Sequence, residues 1–204
     1  ITHPENIFSP TWLQRVGILK KKRLSVYDLP ETNVRKFSEY APDIFIGYPS
    51  ILKMMADYIM QNNIKIISPK KIFTSAEMLF DNVREKIVST FGCDVIDLYG
   101  CTEFRRLAWE CSKREGYHTD IDYAVVEIVK SAGLEEVDGS IVVTGLHNYA
   151  MPLIRYENGD AAQASPRMCS CGRGLPLLGK IKGRLDDMII LPSGRVISSR
   201  SINV

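Results

Sequence analysis

No apolar run in this chain reaches the roughly 18 residues that span a bilayer as a helix, so the sequence offers no transmembrane segment. It has no excess charge of one sign. The 26 Lys+Arg and 24 Asp+Glu leave a net charge of +2. That balance gives no electrostatic footprint for a nucleic acid or a membrane surface. The basic run Lys20-Lys21-Lys22-Arg23 is short and reads as a solvated segment. No signal-peptide pattern opens the chain, since Ile1-Thr2-His3-Pro4-Glu5-Asn6 is polar. The first residue is not Met, which suggests a fragment or a processed chain. Cysteine is scarce and odd in number, at five. Without a secretory signal that count argues against a disulfide framework and for a reduced, cytoplasmic protein. No internal repeat or low-complexity stretch is visible. What remains is an ordinary globular composition, 45% hydrophobic and 25% charged.

The first half alternates strand-like and helical patterns. Asp43 to Tyr48 reads as a buried strand ending in a turn. Pro49-Ser50 opens an amphipathic helix with Leu52, Met55, Ile59 and Met60 on one face. Lys71 to Ser75 is the next strand. Asp81 to Thr90 is a helix with Val83, Ile87 and Val88 apolar, ended by Phe91-Gly92. Asp94 to Tyr99 returns as a strand. Alternation of this kind implies a parallel sheet. Near residue 115 the texture changes. Tyr123–Val129 and Ser140–Thr144 are β-rich, with the turn signal Val137-Asp138-Gly139-Ser140 between them. Met188–Leu191 and Arg195–Ile197, split by Pro192-Ser193-Gly194, read as a closing hairpin. Short strands with turn signals suggest an antiparallel or barrel-like subdomain.

Three short segments carry the chemistry. They are Tyr99-Gly100-Cys101-Thr102-Glu103, Arg155-Tyr156-Glu157-Asn158-Gly159-Asp160 and Gly183-Arg184-Leu185-Asp186-Asp187. About fifty and then about twenty-five residues separate them. A Tyr at the end of a parallel strand can stack on a base, because ligands gather at the carboxyl ends of such strands. Gly100 lets the backbone turn close to a nucleotide. Thr102 offers a hydroxyl to a phosphate, and Glu103 a hard oxygen suited to Mg²⁺. Asp160 can accept from ribose hydroxyls, and Arg184 can meet ribose or phosphate with a planar fork. Each piece alone also reads as a strand-to-turn junction or a plain Asn-Gly-Asp turn.

In this order the segments resemble the nucleotide-handling motifs of the adenylate-forming (acyl-activating) superfamily. Within it the chain is similar to the phenylacetate–coenzyme A ligase-like and capsule-biosynthesis branch. The resemblance extends from about Asp43 to about Ile190. It includes Gly47-Tyr48-Pro49-Ser50, Thr74-Ser75-Ala76-Glu77-Met78-Leu79, Val125-Val126-Glu127-Ile128 and Cys171-Gly172-Arg173-Gly174-Leu175-Pro176. It implies that Tyr99 lies against adenine, with Gly100 beside it and Ser75, Ala76 and Glu77 as the other wall. It places Thr102 near the phosphates, Glu103 at magnesium and Asp160 on the ribose. It makes Arg184 a support of the nucleotide and Asp186 the hinge of a C-terminal domain. Tyr48, Pro49 and Ser50 would border the acyl pocket. The ribose motif departs from the common Arg-Thr before Gly-Asp. Nothing matches the family's Ser/Thr/Gly-rich phosphate loop, and only eighteen residues follow Asp186, so no adenylation lysine can be assigned.

The expected fold is α/β: a partial adenylate-forming large domain with a parallel α/β core and then a β-rich, barrel-like subdomain. Residues 1–110 would carry the adenine and acyl motifs, 111–185 the ribose motif, and 186–204 the start of a truncated C-terminal domain. The implied activity is ATP-dependent activation of a carboxylic acid as an acyl-adenylate, then transfer to coenzyme A or another acceptor. The implied cofactors are ATP/AMP, Mg²⁺ and coenzyme A. The alternative is a catalytically incomplete nucleotide-binding or interaction domain linked to capsular polysaccharide biosynthesis. The oligomeric state is not legible.

Cysteine and histidine form a second constellation. Cys169 and Cys171 are a Cys-x-Cys pair in a Gly-rich turn, and Cys111 and His118 precede the β-rich region. Three thiolates and an imidazole make a common structural zinc set; the same residues also read as two surface thiols and an unrelated pair. Some members of the branch look similar here and carry zinc. Cys93 and Cys101 read as small hydrophobes, and His3 and His147 show no partner signal.

Overall fold

The computed structural model describes residues 20–130, 139–192 and 196–198. The chain forms two compact units, Ile1–Asp97 and Leu98–Val204. The expected turn at Val137-Asp138, the tip of the closing hairpin at Ser193-Gly194 and His3 fall outside the described residues. Among the described residues no helix is long and apolar enough to cross a membrane.

Unit 1 runs α1 (Pro30–Tyr40), β1 (Ile44–Gly47), α2 (Pro49–Gln61), β2 (Lys71–Ser75), α3 (Asp81–Phe91) and the start of β3 (Val95–Cys101). Pro at the first helical position fixes φ and spares an unpaired donor at the starts of α1 and α2. Gly92, at φ 66°, closes α3 in the left-handed conformation. β1 and β2 pair in parallel, Ile44 opposite Lys71 through Gly47 opposite Thr74. The core joins strands to helices through Leu52, Met55, Ile72 and Ile87, and through the mutually packed rings of Phe37, Phe45 and Phe91. Two details differ from the sequence reading. β1 is buried on one face only; Phe45 enters the core while Ile44 and Ile46 are 56% and 53% exposed. Met60 is 55% exposed, because Ala56 completes the 52–55–56–59 stripe and Met60 falls beyond its edge.

Unit 2 is β-rich. It comprises the end of β3, then β4 (Arg105–Glu110), β5 (Tyr117–Thr119), β6 (Ala124–Val129), β7 (Ser140–Gly145), β8 (Tyr156–Ser165), β9 (Leu177–Arg184), β10 (Met188–Ile190) and β11 (Val196–Ser198). β3, β4, β5, β9, β8, β7 and β6 are neighbours in that order, and the pairs formed by β4 to β9 are antiparallel. β10 pairs with β11, also antiparallel. The core holds Tyr99, Phe104, Leu107, Ile141, Val143 and Leu178.

β3 runs two residues beyond the Tyr99 read from sequence. Gly100 and Cys101 pair with Arg106 and Arg105 across a tight antiparallel hairpin. The division between units therefore falls inside β3, one hairpin ahead of the residue 110 read from texture. Gly100 is demanded by this hairpin, since a Cβ there would lie 1.5 Å from the Arg105 carbonyl oxygen.

Candidate functional site

The three motif segments of unit 2 meet in space. β8 and β9 pair so that Asp160 lies opposite Arg184. Tyr99 donates its hydroxyl to Asp160 Oδ2 at 2.8 Å. Asn158 Nδ2 donates to the Tyr99 hydroxyl oxygen, also at 2.8 Å, and Asn158 Oδ1 accepts from the Asp160 amide at 3.0 Å. Arg184 Nη1 donates to the Asn158 carbonyl at 3.0 Å and lies 3.8 Å from Asp160 Oδ1. Gly159 makes this approach possible. It sits at φ 79°, and a Cβ there would come within 3.0 Å of Arg184 Nη2. Tyr99 is 9% exposed. Burial, and then the charge of Asp160, push its phenol well above its ordinary pKa.

Thr102 and Glu103 lie exposed in the hairpin turn after β3. Tyr156 donates its hydroxyl to Glu103 Oε1 at 3.0 Å. A backbone N–H of Glu103 itself, then this hydroxyl, hold the Glu103 carboxyl below its usual range. It therefore stands as an exposed carboxylate at neutral pH, the form a hard cation requires. Asp186 is exposed in the turn between β9 and β10.

In unit 1, Ser75 ends β2 and Ala76 takes a left-handed φ of 69°, a conformation that costs a non-glycine residue about 1 kcal/mol. Glu77 reaches the first turn of α2, where its two carboxylate oxygens accept from the Ser50 amide and hydroxyl, both at 2.9 Å. An anion at a helix N-terminus is favourably placed. Tyr48 and Pro49 lead into the same turn. The Ser50–Glu77 pair thus fastens the two segments read separately from sequence.

Cys111, His118, Cys169 and Cys171 also come together. Their ligand atoms all lie within 4.8 Å of one another. Cys111 Sγ is 3.6 Å from Cys169 Sγ, and Cys171 Sγ is 3.3 Å from His118 Nε2. Tetrahedral zinc with bonds of about 2.3 Å to sulfur and 2.0 Å to nitrogen has edges of about 3.8 and 3.5 Å. These two edges match that figure, so the donor set fits zinc in type and spacing. His118 is fully buried. Burial and the Arg173 charge lower its pKa, which favours the neutral imidazole that ligates. Hydrogen bonding from the Arg173 amide lowers the Cys171 thiol to about 7, toward thiolate, while at Cys169 a hydrogen bond from the Cys171 amide is outweighed by burial and the neighbouring Cys171 and Cys111 thiols, which push it up to about 11. Around the cluster the Trp109 ring lies 5.1 Å from that of His118 and beneath the Arg173 guanidinium. Trp109 Nε1 donates to Asp120, which also pairs with Arg106.

Sequence reasoning missed Asn158, Tyr156 and the Ser50–Glu77 pair. Asn158 lies within a segment that reads as a turn, and nothing in its spacing shows that its side chain faces Tyr99. His147, read without a partner, stacks on Tyr123 and hydrogen bonds the Asp122 carbonyl.

The chain is 30% identical over 171 residues to a phenylacetate–coenzyme A ligase of Pseudomonas putida, covering 79% of this chain and 38% of the relative. It is 27% identical to a Thermus thermophilus phenylacetate–coenzyme A ligase, covering 80% and 39%. It is 29% identical over 137 residues to Protein CapK of Staphylococcus aureus, covering 64% and 28%. The chain thus spans about two fifths or less of these relatives. In fold it is similar to 2-hydroxyisobutyryl-CoA ligase, solved in the postadenylation state with an acyl-AMP, at TM-score 0.74 and 22% identity over 86% of this chain and 39% of that one. An anthranilate CoA ligase solved with anthranoyl-AMP aligns at TM-score 0.61 and 16% identity, over 83% and 35%. No protein-family model matches the chain.

Proposed function

We propose that this chain, which belongs to the adenylate-forming superfamily and is similar within it to phenylacetate–coenzyme A ligases and CapK, serves ATP-dependent activation of a carboxylic acid. A carboxylate oxygen attacks the α-phosphorus of ATP, the bond to the β-phosphate oxygen breaks, and pyrophosphate leaves with that electron pair. The acyl-adenylate then passes its acyl group to coenzyme A or another acceptor, releasing AMP.

The observation that carries this reading is the convergence of Tyr99, Asp160 and Arg184 from three separate motifs. Asp160 is the ribose acceptor, and Arg184 sets a positive charge beside it. Tyr99 supplies an aromatic edge for adenine. Thr102 and Glu103 stand on the adjoining turn. Glu103 would hold Mg²⁺, which supplies charge neutralisation on the pyrophosphate side. Ser75, Ala76, Glu77, Tyr48, Pro49 and Ser50 keep the adenine and acyl roles that the resemblance implies. Asp186 would be the hinge of a following domain. Cys111, His118, Cys169 and Cys171 would hold a structural zinc, with every ligand position supplied by the protein and none left for substrate.

The test is acid-dependent exchange of labelled pyrophosphate into ATP by the full-length protein, surveyed over aryl and alkyl carboxylic acids. Exchange with at least one acid is expected. Exchange with none, from folded protein that retains magnesium, would overturn the reading.

A further inference from the structure

The hydrogen bonds around Asn158 have a direction that the heavy atoms alone determine. The Asp160 backbone N–H can only donate, so the Asn158 atom that it meets at 3.0 Å is the carbonyl oxygen. The other end of the amide, 2.8 Å from the Tyr99 hydroxyl oxygen, is then the NH₂ group. That group can only donate, so the phenol oxygen accepts there. The single phenol proton is left for Asp160 Oδ2, at 2.8 Å. An ionised carboxylate only accepts, so every group in the chain is matched. The sequence runs from backbone amide to Asn158, from Asn158 to Tyr99, and from Tyr99 to Asp160. Asn158 is buried and Tyr99 nearly so, which shields the relay from water. Arg184 fixes the Asn158 backbone from outside, through the carbonyl.

We propose that Asn158 is a positioning residue for the nucleotide ribose. Its amide turns the Tyr99 hydroxyl proton onto Oδ2 of Asp160, locks the carboxylate's rotation, and leaves Oδ1 as the acceptor presented to a ribose hydroxyl. Among the described residues Oδ1 has no hydrogen bond, and Arg184 Nη1 lies 3.8 Å from it, beyond hydrogen-bond distance. Asn suits this role because it carries a donor and an acceptor on one planar group. It can therefore read the backbone amide and the phenol at once. Thr at this position has one rotatable hydroxyl and cannot fix both. The inference rests on the nucleotide reading given above.

The test uses the ribose hydroxyls as the readout. Dissociation constants for AMP and for 2′,3′-dideoxy-AMP are measured by titration calorimetry on the full-length wild-type protein and on its Asn158→Leu and Tyr99→Phe variants. Wild type is expected to prefer AMP by about tenfold or more, the scale of one hydrogen bond to a charged group. Both variants are expected to cut that preference to about threefold or less, by losing AMP affinity more than dideoxy affinity. A merely structural role would weaken both nucleotides alike and leave the ratio unchanged. Should Asn158→Leu not fold, Tyr99→Phe decides, since it keeps the ring and removes only the hydroxyl. A full preference retained in the folded variants overturns the role of Asn158 while leaving the ribose role of Asp160 intact. Wild-type indifference between the two nucleotides overturns the ribose reading itself.

Discussion

Zinc bound by Cys111, His118, Cys169 and Cys171 would act on unit 2 and leave unit 1 unchanged, because all four ligands belong to unit 2. The metal would join the β4–β5 region, through Cys111 and His118, to the loop between β8 and β9. Existing backbone pairing there is thin. β5 has three residues; its ladder with β9 pairs Tyr117 with Leu178 and His118 with Leu177, and the Thr119 amide adds one bond to the Pro176 carbonyl at 3.0 Å. Zinc held only by the folded site would stabilise it by mass action, by about 2.7 kcal/mol when free zinc is a hundred times the dissociation constant. For a domain of about a hundred residues, each kcal/mol moves Tm by about 4–8 °C, so the shift is about 10–20 °C. The assays are elemental analysis of protein purified without added metal or chelator, and scanning calorimetry with hydrogen exchange before and after chelation. One zinc per chain is expected, with exchange protection lost first in residues 111–119 and 166–178. Cys171→Ser should weaken the site, and acidification should release the metal as the thiolates take up protons. Zinc well below one per chain, or chelation that loosens unit 1 as much as unit 2, would refute the reasoning.

Glu103→Gln should lower pyrophosphate exchange in the full-length protein far more than AMP affinity, because magnesium acts on the pyrophosphate side; equal exchange at saturating magnesium would remove Glu103 from the metal site. Gly100→Ala should cost about 3 kcal/mol or more in denaturant unfolding, because its Cβ would collide with the Arg105 carbonyl and backbone must move. A loss under about 1 kcal/mol would show that the hairpin tolerates a side chain there. Asp57 accepts from Lys86 at 2.5 Å and Lys53 at 2.9 Å, and these bonds, Lys86 first, hold its pKa below the ordinary value. A depressed carboxylate stabilises the fold above the unfolded pKa near 4, and that contribution is lost as pH falls through the folded value. Screening by solvent limits it to less than about 1 kcal/mol. The stability gap between wild type and Asp57→Asn should therefore be present at pH 7 and vanish near pH 2; a gap that grows on acidification would contradict the assignment.

Local patterns were legible where one strand or helix decides its own fate. β2 lies at Lys71–Ser75, as its apolar run and flanking signals indicate. The Pro-opened α2 and the Gly-ended α3 follow from backbone restrictions carried by single residues. The Cys₃His grouping was legible because the five cysteines are few and this ligand type is soft, so few combinations compete. Features set by a distant partner were not legible. The last two residues of β3 become strand only because β4 folds back on them. The exposure of Ile44 and Ile46 depends on which face the helices cover, which alternation alone does not say. Asn158 and Tyr156 gain meaning from side chains more than fifty residues away in sequence. The adenine, ribose and hinge roles are what the family resemblance implies, and the structure brings Tyr99, Asn158, Asp160 and Arg184 into contact.

The central claim is that Asp160 receives a nucleotide ribose. Its carboxylate is oriented by Tyr99 and flanked by Arg184, so replacing it removes the acceptor and strands a buried phenol donor. Titration of AMP into the full-length wild-type protein and its Asp160→Ala variant measures this most directly. The account predicts that the variant loses about 1–3 kcal/mol of binding, a rise in Kd of about five- to 150-fold. An unchanged Kd in a variant that unfolds at the wild-type denaturant midpoint would contradict it.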